Sequence, residues 1–477
     1  MVRIFDVGIV GGGPGGLMTA YALQRLADHP IRVTLFEASS RVGGKILTPA
    51  FRTAPIRYEA GAAEFYDYAA TGHDPLKDLI AELGLPIRRM GGPAVVMDQR
   101  ILANLDDIRD RLGPDVHRAI VEFDRLAKDR ITSAEFYVGD GGEGSTAPPE
   151  RLRFDSVLES IRDPEARRYI ETLIHSDLAT EPGSTSPTYG LQNYVMNDAR
   201  YMELYGIEGG NERLPQELAN RLDATMRMEQ PVRAIERRPD GKLGVHSVAD
   251  GEVHIDEFDF VVIALPHNHL RSVAYPGARL ATAMVQHIEH YNFPAHYLRI
   301  SALFDKPFWK NAFTDSYWML DQLGGCCLYD ESSRTPGCKH GVLGWLLGGD
   351  AAHTWTDKSD DELIEAALDS LPDFLAHGRE HFLEGVVHRW IDSVNAMPGG
   401  LQSHNLDVRH RPEPVEHPHL FAVGDYLFDT TLNGVLDSAE YVAAWIAALL
   451  IENHACPPKT TPKRTRSRAP AASPPDP

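Results

Sequence analysis

An α/β fold built on a parallel sheet is predicted from three stretches of the chain. An apolar strand near 6–10 runs into the turn Gly11-Gly12-Gly13-Pro14-Gly15-Gly16 and then into a helical pattern. A second apolar strand, 31–36, ends on Glu37, twenty-one residues after Gly16. Near the other end, the apolar stretch 420–423 stops at Gly424-Asp425, and a loop then leads to Gly434-Val435 and a final helix. Strand, small residues and helix N-terminus thus occur twice, at opposite ends of one chain.

The opening unit carries G-x-G-x-x-G at Gly11, Gly13 and Gly16. Gly11 permits the tight turn, Gly13 lets a pyrophosphate approach the backbone, and Gly16 lets helix and strand pack closely. The helix that opens at Pro14 and Gly15 turns free N–H groups and a positive dipole end toward the phosphates. Glu37 stands where a carboxylate accepts from a ribose. The unit is Rossmann-like, and NAD or FAD would satisfy it equally. Beyond Glu37, Ala38-Ser39-Ser40-Arg41-Val42-Gly43-Gly44-Lys45 sets two cations and an open glycine backbone beside the pyrophosphate. Gly61-Ala62-Ala63 then offers small residues on which a flat ligand can lie, followed by Glu64.

Asp74-Pro75 predicts a helix start, with Asp as N-cap and Pro at the first position. Residues 105–130 and 150–185 read as helices, and the glycine-rich 139–149 as a surface loop. A helix over 214–222 leads to short strands at 226–228, 232–237 (opening on Val232) and 243–248. The strand 260–265 contains Ala264 just before Pro266. Strands follow near 296–304 and 341–348, then a helix near 361–377 and a strand over 386–391.

The 477 residues can bury one large core or two linked ones. A formal charge of −21 argues against nucleic acid and anionic membrane as partners. No apolar run is expected to reach the length of a membrane span, and the first strand lies so close to Met1 that no signal or transit peptide is expected. Four cysteines without metal-ligand spacing predict no metal site and a reducing, cytoplasmic setting. His267 and His269 lack a third ligand, and no G-x-S-x-G elbow occurs. Residues 456–477 hold five basic residues and one acid among many prolines. The whole tail, 453–477, is expected to be disordered.

Taken together, GGGPGG at 11–16, EASSRVGGK at 37–45, EAGAAE at 59–64, GG with a following helix at 209–222, VIALP at 262–266, and FAVGD with NGVLDSA at 421–439 resemble the flavin-dependent amine oxidase superfamily. The resemblance covers nearly all of residues 1–452. It implies a discontinuous FAD-binding domain over 1–70, 205–290 and 385–452, with a substrate-binding domain over 71–204 and 291–384. It also implies that Glu37 holds the adenosine ribose, Arg41 lies near the diphosphate and Val232 meets the adenine through its backbone. Asp425 would lie by the ribityl and diphosphate, with Gly434 and Val435 presenting N–H groups to the flavin pyrimidine edge and Trp390 beside the flavin. No cysteine lies between Cys338 and Cys456, so non-covalent FAD is expected.

Departures from the family pattern bear on the substrate. The lysine that members often carry eight residues before the proline of a Pro-Phe-Trp segment is Arg299 here. Arginine stays charged, and its planar fork suits a carboxylate better than a single water. The positions aligned with a flavin-framing tyrosine pair, near Asn395 or Ala396 and at Thr431, are not aromatic. Glu64 stands where L-amino-acid oxidases of the family carry an arginine. One reading has Glu64 and Arg299 holding opposite ends of a zwitterionic or amino-acid-derived amine; the other pairs them with each other or with neighbours. The expected reaction is oxidation of a C–N bond by hydride transfer to flavin, giving an imine, with dioxygen or another acceptor taking the electrons. A C–C desaturase of the phytoene-desaturase or protoporphyrinogen-oxidase kind and a non-catalytic FAD-binding protein are the alternatives. A homodimer is left open.

Overall fold

The computed structural model describes residues 3–68, 72–133, 136, 153–335, 337–396, 404–428 and 430–455. Its first layer is a five-stranded, all-parallel sheet. The strands run in the order Leu420–Ala422, Phe260–Ile263, Phe5–Val10, Ile31–Phe36 and Ala224–Arg227. Such strands are covered on both faces and so read as near-continuous apolar runs. Phe260–Ile263 is buried throughout, and Phe5–Val10 nearly so. The first helix, Pro14–Leu26, and the last, Leu432–Ala455, pack over this sheet through Leu17, Leu23, Leu436, Ala439, Val442 and Ile446. A three-stranded antiparallel sheet, ordered Glu252–Phe258, Leu243–Ala249, Val232–Arg237, lies beside it.

The second large layer is a seven-stranded sheet, in the order Phe382–Asn395, Pro294–Phe304, Gly341–Gly348, Cys326–Asp330, Tyr317–Leu320, Ala94–Met97 and Arg100–Leu102. One face meets helices Pro114–Arg130 and Pro164–Leu178, the other an apolar cluster with Trp309, Trp318 and Trp345. A small sheet of Phe65–Asp67, Glu203–Ile207 and Ile87–Met90 joins the two layers.

Several sequence expectations change. The 384/385 domain boundary falls inside one continuous strand, Phe382–Asn395, which pairs along its length with Pro294–Phe304. Trp390 therefore belongs to the seven-stranded sheet. The 204/205 boundary likewise cuts the strand Glu203–Ile207. The helical span 105–130 breaks at Gly113, whose φ is +100°, into Leu105–Leu112 and Pro114–Arg130. The helix near 361–377 becomes Asp360–Asp369 and a 3₁₀ turn, Asp373–His381, because Pro372 ends the first piece. The final helix reaches Ala455, and the rest of the tail, like the 139–149 loop, lies outside the described residues. One apolar run does reach membrane-span length: Leu432–Glu452 passes on length and composition, with a mean hydropathy of 1.5. Half of that run is buried within the protein, as a core helix requires.

Candidate active site

At the carboxyl edge of the parallel sheet, where open α/β sheets place their ligands, five of the singled-out stretches meet. Gly11 follows the first strand, with a φ of +115°; a side chain there would run into the Ala264 carbonyl. Gly16 is as constrained, since a Cβ would stand 2.0 Å from the Gly11 oxygen. Gly13 is different. A Cβ there would meet only Gly44 Cα, at 3.9 Å. The backbone is thus open at the N-terminus of a helix with no side-chain cap and no acid in its first turn. An uncapped N-terminus of this kind suits an anion.

The loop beyond the second strand is tied to this turn. Glu37 accepts from the Gly12 amide at 2.8 Å and from the Ser39 amide and hydroxyl at 2.8 and 2.7 Å. Gly43 donates to the Gly12 carbonyl, and Gly44 faces Gly13 with a φ of +52°. Arg41 donates to the carbonyls of Val42, Gly44 and Ile46, so its guanidinium is fixed over the glycine loop. Gln230, two residues before Val232, donates its amide to the Glu37 carbonyl and brings the start of that strand alongside Ala38 and Ser39.

A cavity of about 230 Å³ opens from here toward the seven-stranded sheet. Its walls include Pro14, Lys45, Gly61, Ala62, Ala63, Trp390, Asp425 and Val435 on one side. Lys45 Nζ lies 2.5 Å from Asp425 and donates to the Ser393 carbonyl at 2.7 Å. Gly424 donates its amide to Ser438, and Gly434 donates to the Thr431 hydroxyl at 3.2 Å at the start of the last helix. Gly61 packs so closely on Lys45 that a Cβ would reach its carbonyl, and Trp390 donates to the Ala60 carbonyl at 2.6 Å. Small residues from 61–63 thus form a flat wall, as a planar ring needs. The residues present fit a dinucleotide with a flat headgroup.

Behind that wall runs a buried ion network. Arg334 pairs with Glu59 at 3.0 Å and donates to the Ala63 carbonyl. Glu59 also accepts from Thr48 and the Asn211 amide, at 2.8 and 2.9 Å. Burial raises its pKa to about 7, against the pull of Arg334. Arg299, only 1% exposed, donates to Glu331 and to the Glu59 carbonyl, leaving Nη1 without a hydrogen-bond partner. Of the two arrangements considered for Arg299, the structure shows pairing with a neighbour.

Glu64 faces the same cavity from the other side of the wall, and its Oε2 has no hydrogen-bond partner. Burial pushes its pKa up, with Arg299 and Arg334 opposing. Sequence reasoning missed what surrounds it: Asp177, Tyr66, Tyr189 and Tyr297. Burial, and then the charge of Glu64, push the Asp177 carboxyl well above the usual range. The cavity does have aromatic walls, contributed by elements other than those aligned with the family's tyrosine pair. The closeness of Tyr66 to Glu64 in the chain was the one sequence signal for them.

A family model for flavin-containing amine oxidoreductases matches residues 14–447. A flavin-containing monoamine oxidase A of Dictyostelium discoideum is 21% identical over 411 residues, covering 77% of this chain and 80% of that protein. Among solved structures, cyclohexylamine oxidase from Brevibacterium oxydans superposes with a TM-score of 0.71 at 20% identity, covering 94% of this chain and 99% of that one. A putrescine oxidase bound to putrescine does so with a TM-score of 0.69 at 21% identity, with the same coverage. At these identities the superpositions establish a shared fold.

Proposed function

Because the chain belongs to the flavin-containing amine oxidoreductases, we propose that it binds FAD non-covalently and oxidises a C–N bond of a small amine. The observation that carries this is the continuity of one cavity, from Lys45, Asp425 and Val435 to Glu64 and Asp177. The uncapped helix at Gly13, with Gly43, Gly44 and Arg41 above it, holds the diphosphate. Glu37 takes the ribose and Val232 the adenine. Gly61–Ala63, Trp390 and the start of the last helix at Gly434 and Val435 hold the ring. Bound flavin supplies an acceptor for the hydride lost from the carbon next to nitrogen. The nitrogen gives up a proton, leaving an imine that water can hydrolyse. Arg299 and Arg334 act as positioning residues, fixing the 59–63 wall and placing positive charge behind it. Among the described residues no cysteine lines the cavity, which supports non-covalent binding.

The cavity chemistry disfavours the desaturase alternative. Phytoene-like substrates are apolar and porphyrinogens carry carboxylates. A porphyrinogen's carboxylates need a free cation, whereas Lys45, Arg299 and Arg334 are paired with Asp425, Glu331 and Glu59, and a phytoene-like chain would bury the polar groups of Glu64 and Asp177 against hydrocarbon. The test is to reconstitute the protein with FAD and mix it anaerobically with amines and amino acids. An amine is expected to bleach the flavin spectrum. FAD-loaded protein that no amine reduces overturns the proposal. Admitting air then identifies the acceptor: recovery of colour with hydrogen peroxide means dioxygen, and recovery only with an added dye means a dehydrogenase.

A further inference from the structure

We propose that Asp74 is a positioning residue for the flavin ring: through Asn433 it fixes the first turn of the last helix against the strand that continues the 61–63 wall. This rests on the FAD-binding reading above. On that reading the ring lies between Gly61–Ala63 and the start of the last helix at Gly434 and Val435. One side belongs to the stretch running on into strand Phe65–Asp67, the other to helix Leu432–Ala455. Asp74 is bonded to both. Its carboxylate accepts from the Tyr68 amide at 2.9 Å, just beyond that strand. It accepts from the Lys77 amide at 2.8 Å, where it caps helix Pro75–Glu82. Asn433 Nδ2 donates to its two oxygens, at 3.2 and 3.1 Å, from 359 residues away in the chain. Asp74 and Asn433 are each 3% exposed. Neither lines the cavity, although Tyr68, Leu432 and Val435 do.

Packing alone does not require such a pair. A carboxylate only accepts, so the Asn433 amide must turn its N–H groups toward Asp74. Its Oδ1 is then left buried with no hydrogen-bond partner. The surrounding contacts are apolar: Phe65, Leu76, Leu79, Leu436 and Ala439 share one cluster. An apolar side chain at 433 would leave no orphan, so the polar tie serves position rather than stability. The sense of the pair is a second mark. Lys77 gives its ammonium to Asp67, so three N–H groups, not an ammonium, hold the Asp74 carboxylate. That charge stays on the short helix. On residue 433 itself it would adjoin the Gly434 and Val435 amides and oppose negative charge on a reduced flavin. An acid at 74 and an amide at 433 hold the helix start without placing a carboxylate beside the ring.

The experiment compares the full protein with Asn433→Leu and with the exchanged variant, Asp74→Asn plus Asn433→Asp. FAD affinity is read by flavin fluorescence titration, folding by melting of the apoproteins, and potential by reduction against a reference dye. Asn433→Leu leaves Asp74 its bonds to Tyr68 and Lys77, so the apoprotein should fold, while FAD affinity falls about tenfold. The exchanged variant keeps the tie with its sense reversed and should recover most of that affinity. Its reduced flavin should nevertheless bind about tenfold more weakly relative to the oxidised form, a fall of about 30 mV for a two-electron couple. Parent-like FAD affinity in Asn433→Leu overturns the inference, and so does an exchanged variant with the parent's potential; FAD binding by the parent stands in either case. Should one variant not fold, the other decides alone. If the parent itself takes up no FAD, the cofactor reading falls as well.

Discussion

Replacing Gly13 by alanine separates the cofactor site from the fold that carries it. Gly13 has φ −75° and ψ −179°, which any L-residue adopts. The added methyl would meet nothing closer than Gly44 Cα, at 3.9 Å. In the free protein, the poorer N-cap costs roughly 0.5–1 kcal/mol and the reduced freedom of the unfolded chain returns a similar amount. The apoprotein should therefore melt within a degree or two of the parent. The bound form should not be spared, because the methyl stands where a pyrophosphate approaches the helix N-terminus. Weakening one or two charge-assisted hydrogen bonds there costs about 3 kcal/mol, or roughly 100-fold in FAD affinity. Flavin fluorescence titration measures the affinity, and circular dichroism melting of the apoprotein measures the fold. Gly16→Ala is the contrast: its Cβ would sit 2.0 Å from the Gly11 carbonyl, so the fold itself should fail. The reasoning is refuted if Gly13→Ala binds FAD as the parent does, or if it unfolds like Gly16→Ala.

Removing one member of the buried network should be far costlier than removing two. Glu331→Gln leaves Arg299 charged in a site 1% exposed and is expected to destabilise by about 3–5 kcal/mol in urea titration, while Arg299→Met with Glu331→Met recovers most of that. Equal losses in the single and double variants would show that the pair is not coupled. Acid should expose Glu413, which is buried but accepts from His417, Arg279 and the amides of Glu416 and His417, so that its pKa falls to about 2. Its contribution is full above the unfolded value near 4.5 and is lost as pH falls toward 2, amounting to at most about 3 kcal/mol. Glu413→Gln should flatten that part of the stability profile.

Legibility followed how local the determinants were. The parallel sheet could be read because four of its five strands are mostly apolar runs that lead to Gly11, Glu37, Ala264 and Gly424. The glycine geometry there is set within a few residues. The seven-stranded sheet was only half visible, since Tyr317–Leu320, Cys326–Asp330 and Ala94–Met97 are short and buried on both faces. The pairing of Ala94–Met97 with Tyr317–Leu320 joins partners more than two hundred residues apart, as between Trp318 and Ala94. The same distance hid much of the site. Glu64 stands beside the cofactor motif, but Asp177 lies inside an ordinary-looking amphipathic helix, Pro164–Leu178. Only the packing of that helix on the sheet brings its carboxylate to the cavity. Arg299 could be singled out, but its engagement by Glu331 could not, because a strand and a 3₁₀ turn thirty-two residues apart must first meet.

The pairing of the first helix with the last has a consequence for biosynthesis. Strand Phe5–Val10 is flanked by Phe260–Ile263 and Ile31–Phe36, and the helix over residues 432–455 closes the core above Leu17 and Leu23. An emerging chain therefore holds an unfilled groove, with apolar side chains exposed, until residues 432–455 leave the ribosome. On the binding proposed above, cofactor loading follows translation of Gly434 and Val435. A chain stopped shortly before them would display a nearly complete glycine turn beside an unfilled core, and would be a natural client for chaperones and proteases.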